Sequence, residues 1–244
     1  MSKFKAICLA VLTICLILLV TGNSYADKRS YVWTYEYQTM PKGWFETEFY
    51  LTEEQPNLDR AVPNYWKPQI ELEYGITDHF DVSMYQMFKQ SNIYESSTFE
   101  YDGFKIRGRY RVLEKDSLPI DILLYLEYIR PGDFKEPNEL EEKLVLAKDI
   151  GRFNISYNQI FEQELESGGK AEYGYTAGIS YAITPMFRIG AETKGNYTDG
   201  EYSVGPTISY TIKPKKAYIA LGAVFGLNEK TDDMQTRLIV GYLF

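Results

Sequence analysis

The sequence predicts an all-β fold, a closed antiparallel transmembrane β-barrel of about twelve strands (about 10 to 14). Three observations predict it. Segments of roughly ten residues alternate apolar and polar side chains, the length a tilted membrane-crossing strand needs. Their connections alternate between shorter turns and longer polar loops. No amphipathic helix interrupts them.

The chain opens with Lys3 and Lys5, an apolar run from Ala6 to Val20, and a small-x-small site ending at Ala26. That order is a secretory signal peptide, expected to be cleaved after Ala26. The apolar core falls short of the ~20 residues that span a bilayer. Ile14 before Cys15 is too large for a lipoprotein site. Residues 1–26 are thus a leader, 27–42 an N-terminal periplasmic or lumenal segment, and 43–244 the barrel domain.

Cys8 and Cys15 both lie in the leader, so the processed chain has no disulfide, thiolate metal site or cysteine nucleophile. Removing Lys3 and Lys5 leaves 24 of the 26 basic residues against 34 acidic ones, a net charge of −10. That balance excludes a basic nucleic-acid footprint. The 22 tyrosines suit a wall that passes from hydrocarbon to water.

Twelve alternating segments are expected near 43–52, 65–75, 79–90, 99–112, 118–130, 138–148, 152–162, 171–182, 186–196, 201–212, 216–226 and 235–244. In the tenth, Tyr202, Val204, Pro206, Ile208 and Tyr210 oppose Ser203, Gly205, Thr207, Ser209 and Thr211. In the second, Trp66, Ile70, Leu72 and Tyr74 oppose Lys67, Gln69, Glu71 and Glu73. Longer connections are expected near 53–64, 91–98, 131–137, 163–170, 197–200 and 227–234. Shorter ones are expected near 76–78, 113–117, 149–151, 183–185 and 213–215. Three features fit less well. Pro68 and Pro206 fall inside strands, where a missing N–H breaks the ladder or marks a bulge. Glu139, Glu141 and Glu142 weaken the sixth segment. Tyr31 to Tyr37 also alternates, as an extra strand or as a segment at the barrel end or in the lumen.

The last residues place Leu238, Val240, Tyr242 and Phe244 on one face, and Arg237, Ile239, Gly241 and Leu243 on the other. A terminal strand ending on Phe, with Tyr two before it, resembles the C-terminal signal of Gram-negative outer-membrane β-barrels. Over residues 27–244 the pattern resembles small porin- or transporter-like barrels of about twelve strands. The resemblance implies an outer-membrane location, contact with lipid and lipopolysaccharide, and assembly by the barrel-assembly machinery with periplasmic chaperones. It implies short periplasmic turns and longer extracellular loops.

The candidate site is a charged lumen. Lys105, Arg107, Arg109 and Arg111 alternate with Phe104, Ile106, Gly108 and Tyr110, which puts four cations on one inward face. Glu46, Glu48, Glu71, Glu73, Asp121, Glu127, Arg188 and Glu192, together with Asp81, are expected inward as well. Such rows pair across strands or select ions in a pore, and the two roles are compatible. Gly174, Gly178, Ser180, Ser203, Gly205, Ser209, Ala220 and Gly222 leave room on one wall for solvent, solute or the N-terminal segment.

His79 is the lone histidine, expected as a solvent-exposed turn residue. No metal site, cofactor or catalytic residue is expected. Ser83 lies about 13 Å away along a strand, too far for a catalytic triad. Loop acids such as Glu53, Asp59, Asp133 and Asp232 are expected to be solvated. The leading functional reading is a passive channel for small solutes. The alternatives are a plugged structural or surface-interaction barrel and, less favoured, a membrane enzyme.

Overall fold

The computed structural model describes residues 29–58, 64–93, 96–212 and 216–244. The expected leader lies outside them, as does Asp59. The strands are β1 (Phe45–Gln55), β2 (Asn64–Thr77), β3 (Phe80–Ile93), β4 (Ser96–Arg111), β5 (Asp121–Pro131) and β6 (Glu139–Ile150). They continue with β7 (Phe153–Glu164), β8 (Ala171–Ala182), β9 (Phe187–Asn196), β10 (Glu201–Ile212), β11 (Ala217–Gly226) and β12 (Met234–Leu243). Each pairs antiparallel with its sequence neighbours, and β1 closes the barrel on β12 with Phe49 opposite Val240. Closure leaves no unpaired edge.

The side-chain period of two sorts the wall into opposite chemistries. Glu71 and Glu73 are buried inside, while Ile70, Leu72 and Tyr74 are exposed outside. Arg107 and Arg109 are buried inside, with Ile106 and Tyr110 exposed outside. Ile208 and Tyr210, Ile219 and Leu221, and Leu124 and Leu126 extend the apolar outer wall around the barrel. In a protein that buried its core from water these faces would be exchanged. Among the described residues, no helix is long and apolar enough to cross a membrane.

The strand positions match those expected, with small differences at the ends. The alternation of short and long connections does not hold throughout. The expected short turn near 113–117 is a longer connection spanning 112–120, and most of the expected long loop at 91–98 is strand, since β3 runs to Ile93 and β4 starts at Ser96. β3 and β4 stay paired as far as Ile93 opposite Ser96. Strand β12 ends at Leu243, and the N–H of Phe244 still bonds the Phe45 carbonyl at 2.8 Å.

Both in-strand prolines sit where pairing lapses on one side. Pro68 faces Leu51 of β1, but β2 and β3 resume only at Gln69 opposite Met87. Pro206 faces Ala191 of β9, while β10 and β11 skip from Val204–Phe225 to Thr207–Gly222. A residue without an N–H is tolerated where no ladder bond is made. Opposite the first gap, β4 carries a bulge. Met87 pairs with Gly103 and Phe88 with Tyr101, which leaves Asp102 extra, and Gly103 takes φ 115°.

Residues 29–42 form no strand. They run as a strap from the barrel end where β1 begins and β12 finishes (the terminal end) into the lumen, where Tyr31, Val32, Trp33, Tyr37 and Met40 are buried.

Candidate functional site: a charged lumen crossed by a strap

The inner wall carries an ion-pair ladder centred on β2, β3 and β4. Register places Glu73 opposite Ser83, and Ser83 opposite Arg107. The small serine lets Arg107 reach over β3 to Glu73 at 2.5 Å and to Glu71 at 2.8 Å. Arg109 pairs with Asp81 at 2.8 Å and also with Glu73. Arg107 is 0 % exposed, so its charge requires these partners. The ladder continues sideways. Tyr50 Oη lies 2.7 Å from a Glu71 carboxyl oxygen and also contacts Glu48, Tyr218 donates to Glu48, and Arg29 pairs with Glu48 at 3.3 Å. Lys105 pairs with Glu127 at 3.0 Å, and Lys143 with Glu141 at 2.8 Å.

The remaining expected inward residues distribute along the lumen. Glu46 is buried beside the ladder, opposite Glu73 and Leu243. Asp121 accepts the Asp116 N–H at 2.6 Å near the terminal end. Arg111 donates to Thr39 Oγ1 at 2.8 Å and to the Asp78 carbonyl, which fastens the strap's base. Arg188 donates to Ser180 at 2.9 Å.

Glu192 is separate from the ladder. Its carboxylate accepts three successive strap N–H groups, from Val32 at 2.7 Å and from Trp33 and Thr34 at 2.9 Å each. Asn158 adds a two-way bond with Tyr35, accepting its N–H at 2.7 Å and donating to its carbonyl at 3.0 Å. The Met40 N–H bonds Asp81 at 2.8 Å, and Tyr31 Oη bonds the Asn154 carbonyl at 2.8 Å. Ser30 closes the strap on itself through Glu36 at 2.7 Å. The strap's backbone therefore takes its partners from the barrel wall instead of from a ladder.

The small wall receives this strap. A Cβ at Gly178 would strike the Tyr31 ring, and one at Gly222 would strike Val32 and Trp33. In the sequence these glycines and the alternation at 31–37 are separate features, and only the fold brings them into contact. Asn154 and Asn158 carry no local sequence signal of their bonds to the strap, which come from the Asn154 carbonyl and the Asn158 side chain.

Two cavities flank the strap and share no lining residue. One, of about 480 Å³, lies toward the far end and is lined by Trp33, Tyr35, Lys105, Lys143, Lys194 and Arg237, among others. The other, of about 230 Å³, lies toward the terminal end beside Tyr37, Asn154 and Arg188.

His79 is a partly exposed turn residue whose ring bonds Glu114 at 2.7 Å and the Arg111 carbonyl at 3.1 Å. The bond to Glu114, reinforced by the Arg111 carbonyl, raises its pKa above the usual imidazole value. The Ser83 hydroxyl is buried on the inner wall and makes no bond to it. Among the described residues no group of His, Cys, Asp and Glu has the arrangement of a metal site.

Fold and lumen together define a twelve-stranded barrel of porin-like architecture, apolar outside and charged within. No family model matches the sequence, and no curated protein matches it significantly. Solved structures do share the fold. An outer-membrane channel from Pseudomonas putida F1 aligns with a TM-score of 0.63 at 10% identity, over 88% of this chain and 100% of that one. The KdgM porin, in complex with disordered oligogalacturonate, aligns at 0.56 with 12% identity over 82% and 98%. The NanC porin aligns at 0.55 with 8% identity over 82% and 98%.

Proposed function

We propose that this chain is an outer-membrane channel of the porin type for small polar solutes, held closed in this conformation by its own N-terminal strap. One observation carries the reading: the lumen is a charged, polar conduit with a cavity on each side of a single strap. The apolar outer wall suits lipid, and the architecture is that of porins and channels. The expected leader suits export, and the terminal end, with the strap's base, would face the periplasm. Delivery by periplasmic chaperones and assembly through Leu238, Val240, Tyr242 and Phe244 by the barrel-assembly machinery belong to the same reading. So does contact with lipopolysaccharide around the rim.

The density of strap-to-wall hydrogen bonds favours a second reading, a permanently filled structural barrel. Planar-bilayer recording separates the two. A channel predicts little current from the whole chain and discrete steps once residues 29–42 are deleted. Arg107→Glu with Arg109→Glu in that deletion should shift selectivity toward cations. A silent deletion variant that remains a folded barrel would favour the structural reading. Recovery of the processed chain in the soluble fraction would contradict both.

A further inference from the structure

The far-end cavity has an asymmetry in its charge pairing. Arg29, Lys105 and Lys143 border it, and each holds a carboxylate, on Glu48, Glu127 and Glu141 respectively. Lys194 of β9 and Arg237 of β12 border it too, yet neither makes an ion pair within the described residues. Lys194 Nζ donates to the neutral Gln235 at 2.5 Å. Arg237 donates to the Thr52 hydroxyl at 2.8 Å and to the Val32 carbonyl at 3.2 Å. The two cations converge on one strap residue, standing 5.6 and 5.5 Å from the Trp33 ring centroid. Trp33 Nε1 and Ser203 Oγ, both buried, lack a hydrogen-bond partner among the described residues, and both residues border the same cavity.

Two cations held close together in a confined lumen repel each other and gain from a shared counter-ion. Arg29, Lys105 and Lys143 find that counter-ion on the wall; Lys194 and Arg237 are held by neutral acceptors, and Glu54 and Asp232 act on Lys194, and Glu192 on Arg237, only from beyond ion-pair distance. The geometry points to a binding subsite for a small carboxylate solute, whose anionic oxygens bridge Lys194 and Arg237 while Trp33 forms the floor. A planar guanidinium suits a carboxylate, and the cavity's size suits a small organic acid. The inference deepens the channel reading by naming a solute class. Because Arg237 and Trp33 also hold the strap, an occupant here touches the closing segment itself.

Isothermal titration of the whole processed chain in detergent micelles tests this, with gluconate as the probe and glucose as the uncharged match. Gluconate should bind saturably and glucose should not. Raising the salt from about 20 to 500 mM should weaken gluconate binding several-fold, because the subsite opens to solvent. Lys194→Gln and Arg237→Gln should each weaken it about tenfold, and the pair together should abolish it. Lys170→Gln, whose ammonium pairs with Glu172 and Asp199 at the far-end rim, should leave it unchanged. Equal binding of glucose, no binding of gluconate, or full binding by the double variant would overturn the subsite. If the double variant does not fold, the salt series and the glucose comparison on the parent chain decide alone. Gluconate binding without current from the strap-deleted chain would leave the subsite standing while the channel reading fell. Current without gluconate binding would do the reverse.

Discussion

The Glu192 carboxylate accepts the Trp33 N–H at 2.9 Å, and the same group holds the amides on either side of it. A single side chain thus serves three successive backbone donors of a segment that has no strand partner. Glu192→Ala leaves all three N–H groups without this acceptor. Hydrogen bonds to charged groups contribute about 1.5–3 kcal/mol each, so the strap should loosen while the barrel persists. Amide exchange at Val32, Trp33 and Thr34 should accelerate at least tenfold, a change of about 1.4 kcal/mol, with the β-strand amides unchanged. Unaltered exchange at these three residues would refute the latch.

Tyr31 packs where Gly178 has no side chain. Gly178→Val should therefore displace the Tyr31 ring without touching the ion-pair ladder. Limited proteolysis should then cut near residues 29–37 in the variant and spare them in the parent. Pairing the change with Tyr31→Gly, which reopens the space, should restore protection.

Arg107 holds Glu71 and Glu73 together on the inner wall. Arg107→Met leaves buried carboxylates short of a partner, at a cost of about 3–5 kcal/mol. Denaturant unfolding in micelles should show that loss. Adding Glu71→Gln and Glu73→Gln should recover most of it, because neutral amides need no counter-charge. A triple variant no more stable than the single one would contradict the ladder.

His79 gives a pH signature at the terminal end. Its pKa is raised by Glu114, so the folded chain binds a proton more tightly than the unfolded one. The stabilisation is complete below the unfolded value of about 6.5 and is lost as pH rises through the folded value. NMR titration of this single histidine should give a midpoint above 6.5, and Glu114→Gln should bring it down. A midpoint at or below the free value in the parent would rule out the bond.

The barrel was legible because each strand states its two faces in sequence. Glu71 with Leu72 and Arg107 with Ile106 need only a period of two to be assigned to opposite sides. The cations of β4 were legible inward for the same reason. Their partners were not fixed, because register depends on pairing across strands. Nothing local says that Ser83 lies between Arg107 and Glu73, or that Lys105 takes Glu127. Connection lengths differ at 91–98 and 112–120, since polar residues such as Ser91 and Ser97 serve a paired strand as readily as a loop. The strap was visible only as an alternation with no assigned place. Its path depends on Glu192 and Asn158, far away in sequence, and on the room left by Gly178 and Gly222.

The central claim is that residues 29–42 close the lumen. Residues 27–244 contain no cysteine, so Val32→Cys with Gly222→Cys can tie the strap to β11, the new bond replacing the Val32 methyl that a Cβ at Gly222 would otherwise strike. Under oxidising conditions this variant should pass no current in a planar bilayer, and added reductant should bring intermittent steps. Equal conductance with the bond formed and with it broken would contradict the account.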